Sequence, residues 1–222
     1  MPTSHLTSLR DLKDNLNLLE HLFAPELISY WAAVHLVFYQ RKEGATLYLA
    51  MIRRVENDKD PWSGHYAFPG GGVNRDETYK AAAIRETKEE IDFEVDQHSY
   101  LGEFYRLQVF LNGGASRLGI SAHASFVTDE EKPTLTACPV EVDEAFWFPV
   151  NEFLTSDSIL EKEFHFSGKS KILPCIDYRG HVVWGLSYMI LREFLIQWES
   201  FNKVKKTNNL EELLPQYPYR NK

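Results

Sequence analysis

The run FPGGGVNRDETYKAAAIRETKEEID, from Phe68 to Asp92, joins three consecutive glycines to a charged, helix-forming segment, and the rest of the chain is read outward from it. From Thr78 to Glu90 it carries Ala, Lys, Arg and Glu with neither Gly nor Pro, a composition that favours helix. Residues three and four apart share a helix face, so Glu86, Glu89 and Glu90 are expected to project as one carboxylate cluster. Taken alone, these acids fit a solvated acidic face equally well, with Arg85 and Lys88 softening the repulsion. The loop in front tips the balance. Gly70, Gly71 and Gly72 have no Cβ and can bring backbone carbonyls and amides to the same spot. Hard divalent cations take oxygen ligands from carboxylates and carbonyls, and Mg2+ also bridges to substrate phosphates. The segment therefore reads as a metal site for phosphate chemistry.

On the N-terminal side, Leu12, Leu16, Leu19, Leu22 and Phe23 recur at three- and four-residue steps between Leu9 and Tyr30, which predicts an amphipathic helix ending near Pro25. Two β-rich runs, Ala33 to Gln40 and Thr46 to Ile52, flank the polar turn RKEGA and predict a hairpin. Between the hairpin and the helix, Val55 to Glu77 holds turn formers interleaved with aromatics, and so long a loop in a compact domain is usually functional. Beyond the helix, Tyr100 to Leu111 and Gly119 to Val127 read as strands around the turn NGGASR, and Ala145 to Val150 as a further short strand. A last helix is expected over Gly185 to Asn202, with Leu186, Ile190, Leu191, Phe194, Leu195 and Trp198 as core residues. The polar, mildly basic residues 203–222 read as a tail. Hairpins mixed with helices predict an α/β or α+β sandwich.

Composition sets the outer limits. With 222 residues, 44% of them hydrophobic, the chain can bury a real core. The 32 acidic against 24 basic residues leave a formal charge of −8, which excludes a protein built to neutralise nucleic-acid phosphates over a broad surface. The two cysteines, Cys138 and Cys175, form no CxxC, so a disulfide framework and a zinc knuckle are both unavailable and a reducing compartment fits. No signal peptide or membrane-length apolar run is present, and a cytoplasmic protein away from the membrane is expected. Neither HExxH nor GxSxG occurs, and Gly168-Lys169-Ser170 lacks the glycine a P-loop needs, Glu163 standing there.

The spacing Gly71-x5-Glu77-x7-Arg85-Glu86-x2-Glu89-Glu90 resembles the Nudix box, the signature of the Nudix hydrolases. Two positions depart from it: Asp92 stands where the box has Gly, and Thr87 where it has an aliphatic residue. Asp reaches left-handed conformations with more difficulty than Gly, so the turn closing the helix is expected to alter. The resemblance implies a Nudix-type α/β/α sandwich with a mixed β-sheet, spanning residues 31–202, with residues 1–30 as a helical extension. It also implies a diphosphatase that cleaves a nucleoside diphosphate derivative with Mg2+ or Mn2+. By carry-over, Glu86 and Glu90 resemble the principal metal ligands, Glu89 a ligand or the base, and the Gly70 carbonyl a further ligand. Glu77 and Arg85 resemble the pair that ties loop to helix. In this family a base sometimes comes from a later loop, for which Glu141 and Glu144 are the candidates.

The run from Asp60 to Gly71, with Val183-Trp184-Gly185-Leu186, resembles the coenzyme A diphosphatase branch. Asp60 occupies a position where that branch has an arginine; Arg53 and Arg54, a little upstream, are the candidates to compensate as phosphate partners. Trp62, His65 and Tyr66 either stack on an adenine or pin the loop to the core. The alternative within the family is a silent domain that senses a nucleotide; the complete carboxylate set favours the enzyme. Either terminal helix could lie on the domain or mediate a homodimer.

Overall fold

A computed structural model of the chain describes residues 27–42, 45–58, 60, 62–111, 114–150, 159–166 and 169–207. Its organising element is strand β1, Tyr30–Tyr39, with Leu36 and Phe38 turned to one face and Ala33, His35 and Val37 to the other, all buried. A strand buried on both faces needs a cover on each. Strand β2, Tyr48–Arg54, closes the expected hairpin only at its tip, where Phe38 faces Leu49 and Tyr39 faces Tyr48. Further back the same edge of β1 passes to β4, Gly70–Gly72, through Ala32 opposite Gly72 and Val34 opposite Gly70. The other edge pairs in parallel with β6, Gly114–Val127, in a register that sets His35 opposite His123. Strands β3 (Tyr66–Ala67), β5 (Tyr100–Leu111) and β7 (Val142–Pro149) complete a mixed sheet of seven strands.

Helix α1, Tyr79–Ile91, begins at the Thr78 N-cap, whose hydroxyl accepts the Ala81 N–H. Its buried face repeats every three to four residues: Ala82 and Ala83, Glu86 and Thr87, Glu90 and Ile91. The alanines let it approach Ala33 closely, and Ile91 joins Val37, Ala50 and Ile52. On the opposite face lies helix α2, Gly185–Thr207, whose Tyr188, Ile190, Leu191 and Phe194 pack with Leu36, Phe38 and Met51. The rings of Phe38 and Phe194 stack at 4.4 Å. With helices on both faces of the sheet, the molecule is the α/β/α sandwich that the family resemblance implies.

The structure differs from expectation in several places. The predicted N-terminal helix, ending near Pro25, lies outside the described residues, and Tyr30, the last residue of the expected extension, opens β1. Helix α2 continues to Thr207, five residues into the expected tail, because nothing between Asn202 and Thr207 breaks a helix. A second, antiparallel sheet of β8 (Ile159–Phe166), β9 (Lys169–Tyr178) and β10 (His181–Trp184) was not anticipated. Among the described residues no helix is long and apolar enough to cross a membrane.

Candidate metal centre

Three carboxylates meet at the C-terminal half of α1: ligand oxygens of Glu86, Glu90 and Glu141 all lie within 4.8 Å of one another. Glu86 and Glu90 are buried, while Glu141 is exposed. Burial pushes the Glu90 carboxyl up to about 8, and the neighbouring charges of Glu86 and Glu141 push the same way; the Gly70 N–H, bonded to Glu90 Oε2 at 2.8 Å, pulls against them. Glu86 is also raised, by burial first, with Arg85 opposing.

The glycines make the room. A Cβ at Gly71 would lie 2.5 Å from the Glu86 carboxylate, and one at Gly70 would lie 2.5 Å from the Ala33 carbonyl oxygen. Bare backbone at Gly70 lets this strand lie against β1, and at Gly71 it leaves the Glu86 carboxylate its place.

Arg85 ties the parts together with all five of its N–H donors. Nε and Nη2 reach the two oxygens of Glu77 at 2.8 and 3.0 Å, Nη2 also reaches the Gly72 carbonyl at 2.9 Å, and Nη1 reaches Glu86 at 2.7 Å and Glu89 at 2.8 Å. Glu77 in turn accepts the Asn74 N–H, and these bonds to Arg85 and Asn74 hold its carboxyl down at about 2. Glu77 and Arg85 therefore join loop to helix, while Glu89 is half-exposed and held by Arg85, outside the three-carboxylate group.

Glu141 arrives from far along the chain. The Thr136 and Cys138 amides donate to the carbonyls of Ile91 and Glu90 at 2.9 Å, using acceptors that the end of α1 leaves free, and a tight turn on the Cys138 carbonyl then sets Glu141 beside Glu90. Glu144, the other late candidate, faces His181 at 3.3 Å. Both departures from the box are accommodated. Asp92 does take the left-handed conformation (φ 50, ψ 40), donates its N–H to the Lys88 carbonyl and receives Lys88 Nζ on its carboxylate, so the closing turn is kept. The Thr87 hydroxyl is buried and donates to the Ala83 carbonyl at 2.7 Å.

The remaining sequence candidates are engaged with protein. Arg54 makes two bonds to Asp60 Oδ2, at 2.9 and 2.7 Å, and its charge is felt at Glu90. Arg53 pairs with Asp143. Trp62 and Tyr66 pack against the main core, Tyr66 also meets Phe146 and His181, and the His65 ring lies 4.7 Å from that of Trp184. The loop aromatics thus dock the second sheet onto the first. Sequence reasoning missed His181 and Trp184 as their partners because it saw no strand there.

Hard oxygen donors, two of them buried with raised pKa values, on a cradle that a single Cβ would fill, suit a divalent cation such as Mg2+ or Mn2+. A family model described as the NUDIX domain matches residues 29–169. An uncharacterized protein of Schizosaccharomyces pombe is 32% identical over 110 residues, 48% of this chain and 33% of that protein, so the chain spans a third of that relative's length. An uncharacterized Nudix hydrolase, NudL, of Photorhabdus laumondii is 26% identical over 142 residues, 61% of this chain and 69% of that one. Among solved structures, a MutT/nudix family protein from Enterococcus faecalis shares the fold at 19% identity with a TM-score of 0.50, over 88% of this chain and 70% of that one.

Proposed function

The chain belongs to the NUDIX domain family, and we propose that it hydrolyses a diphosphate bond in a nucleoside diphosphate derivative with the help of Mg2+ or Mn2+. The observation that carries this is the group of Glu86, Glu90 and Glu141 at the glycine cradle. Glu86 and Glu90 hold the cation, with the Gly70 carbonyl as a further oxygen ligand. When bound, the ion lowers the pKa of a water and neutralises charge on the departing phosphate. Arg85 orients Glu86, and the Gly70 N–H orients Glu90. Of the acids that could take the proton from the attacking water, Glu141 is the best placed, since Glu89 is held by Arg85 and Glu144 faces His181. Arg54, aimed by Asp60 and close enough to influence Glu90, is the candidate contact for a substrate phosphate.

The finer reading is a substrate of the coenzyme A type, or a related adenine-containing diphosphate. Its support is the run from Asp60 to Gly71 together with Val183 to Leu186. The test is a panel of coenzyme A, NADH, ADP-ribose, diadenosine polyphosphates and nucleoside triphosphates, each with Mg2+ or Mn2+. Release of 3′,5′-ADP and 4′-phosphopantetheine identifies coenzyme A. Cleavage of another member keeps the hydrolase and removes the finer reading. Tight binding of a nucleotide with no cleavage of any member overturns the enzyme in favour of a sensor.

A further inference from the structure

His35 bonds to both segments that build the carboxylate site, at Pro69 just before the glycine strand and at Thr87 on helix α1. It is fully buried in the middle of β1, on the face that α1 covers. Its backbone N–H donates to the Pro69 carbonyl at 2.8 Å, one residue before Gly70. Its ring Nδ1 lies 2.9 Å from Thr87 Oγ1, one residue after Glu86 and three before Glu90, and its Nε2 lies 2.8 Å from Ser125 Oγ on β6.

The proton inventory of this chain is closed. Thr87 has one hydroxyl proton and uses it on the Ala83 carbonyl, so Thr87 Oγ1 can only accept from Nδ1–H. Burial, with the opposing His123 adding, holds the ring neutral, its pKa down at about 3. A neutral ring with its proton on Nδ1 has a bare Nε2, which accepts the Ser125 hydroxyl proton. Each donor meets one acceptor, so ring orientation and tautomer are both determined.

We propose that His35 is the positioning residue of the cation centre, fixing the glycine strand through its backbone and helix α1 through its ring, with Ser125 bracing the ring from behind. This rests on the metal-site reading above. Partners behind a metal's ligands are worth about 10- to 100-fold in affinity when removed, and displacing a catalytic group by about 1 Å can cost 10²-fold in rate. Thr87, where the family has an aliphatic residue, is the matching half of the device.

The test is Mn2+ binding followed by electron paramagnetic resonance, run on the wild type, His35→Leu, His35→Asn, Thr87→Val, the His35→Leu/Thr87→Val double variant and Glu90→Gln, with thermal unfolding of each. Expected are dissociation constants raised about 10- to 100-fold for His35→Leu and Thr87→Val. The double variant should be no worse than the poorer single one, because both cut the same bond. His35→Asn, whose amide nitrogen falls near the place of Nδ1, should recover most of the loss. Nitrogen-15 spectra of the wild type should show His35 neutral with its proton on Nδ1. Unchanged Mn2+ affinity in folded Thr87→Val and His35→Leu, or a ring protonated on Nε2, overturns the proposal. If Glu90→Gln loses Mn2+ while the His35 and Thr87 variants keep it, the metal site stands and this role falls. A wild type that takes up no Mn2+ overturns both.

Discussion

Replacing Gly71 by alanine should separate the fold from the metal centre. The new Cβ would stand 2.5 Å from both Cδ and Oε1 of Glu86 and 2.7 Å from Oε2. Ordinary contact needs about 3.5 Å, so the carboxylate must move by about 1 Å. It can do so at little cost to the fold, because the obstructed atoms are the end of a flexible side chain. Gly71 also has no positive φ that alanine would strain. Global stability should therefore change by no more than about 1 kcal/mol, the extra methyl being partly offset by a stiffer unfolded chain. The Mn2+ dissociation constant should rise about 10- to 100-fold, since Glu86 leaves the position it shares with Glu90 and Glu141. Two neighbours serve as controls. A Cβ at Gly72 meets nothing within 4 Å, and Gly72→Ala should leave metal binding unchanged. At Gly70 it meets the Ala33 carbonyl oxygen and Val34 Cα at 2.5 and 2.7 Å, backbone that cannot swing away, so Gly70→Ala should lower the melting temperature most. Calorimetric Mn2+ titration with thermal unfolding checks all three. If Gly71→Ala binds Mn2+ as the wild type does, or if Gly72→Ala is equally impaired, the cradle argument is refuted.

Two further outcomes follow from the buried titratable groups. Because burial raises the Glu90 carboxyl to about 8, Mn2+ binding near pH 7 must displace about one proton. Affinity should then climb about tenfold per pH unit up to about pH 8 and level off. Calorimetry in two buffers of different ionisation enthalpy reads the proton directly, and Glu90→Gln should abolish it. His35 works in the opposite sense. Its folded pKa of about 3 lies below the ordinary 6.5, so its contribution to stability is complete above 6.5 and is lost as pH falls toward 3. Between about pH 5.5 and 4, urea unfolding of His35→Asn should therefore show a pH slope shallower than the wild type's by about 1.4 kcal/mol per unit.

The parts of this molecule that could be read from sequence are those encoded over short spans. Helix α1 and the Glu86 and Glu90 positions follow from three- and four-residue spacing, and the three glycines stand out as a run, although the atoms that require them, on Ala33 and Glu86, are distant in the chain. Long-range pairing was less legible. Residues Ala33 to Gln40 look like half of a hairpin, yet most of β1 pairs with β4 and, in parallel, with β6, which only tertiary contacts decide. The second sheet was hidden because β9 contains Pro174, a residue that argues against a strand, and because β8 alternates charged with apolar residues only weakly. Glu141 was visible as an acid in a late loop, but its placement beside Glu86 and Glu90 depends on backbone bonds from Thr136 and Cys138 to the end of α1, which side-chain identity does not encode. Arg53 and Arg54 were legible as charges, and their pairing with Asp143 and Asp60 was not.

The most direct measurement is the initial rate of diphosphate cleavage by the wild type beside Glu90→Gln, at saturating Mn2+ and on the best substrate of the panel. Glutamine keeps a carbonyl acceptor for the Gly70 N–H, so the cradle should remain in place while a ligand charge is lost. A folded Glu90→Gln at least ~10²-fold slower than the wild type is the predicted result. Equal rates for the two, or no cleavage of any panel member by the wild type, would contradict the account.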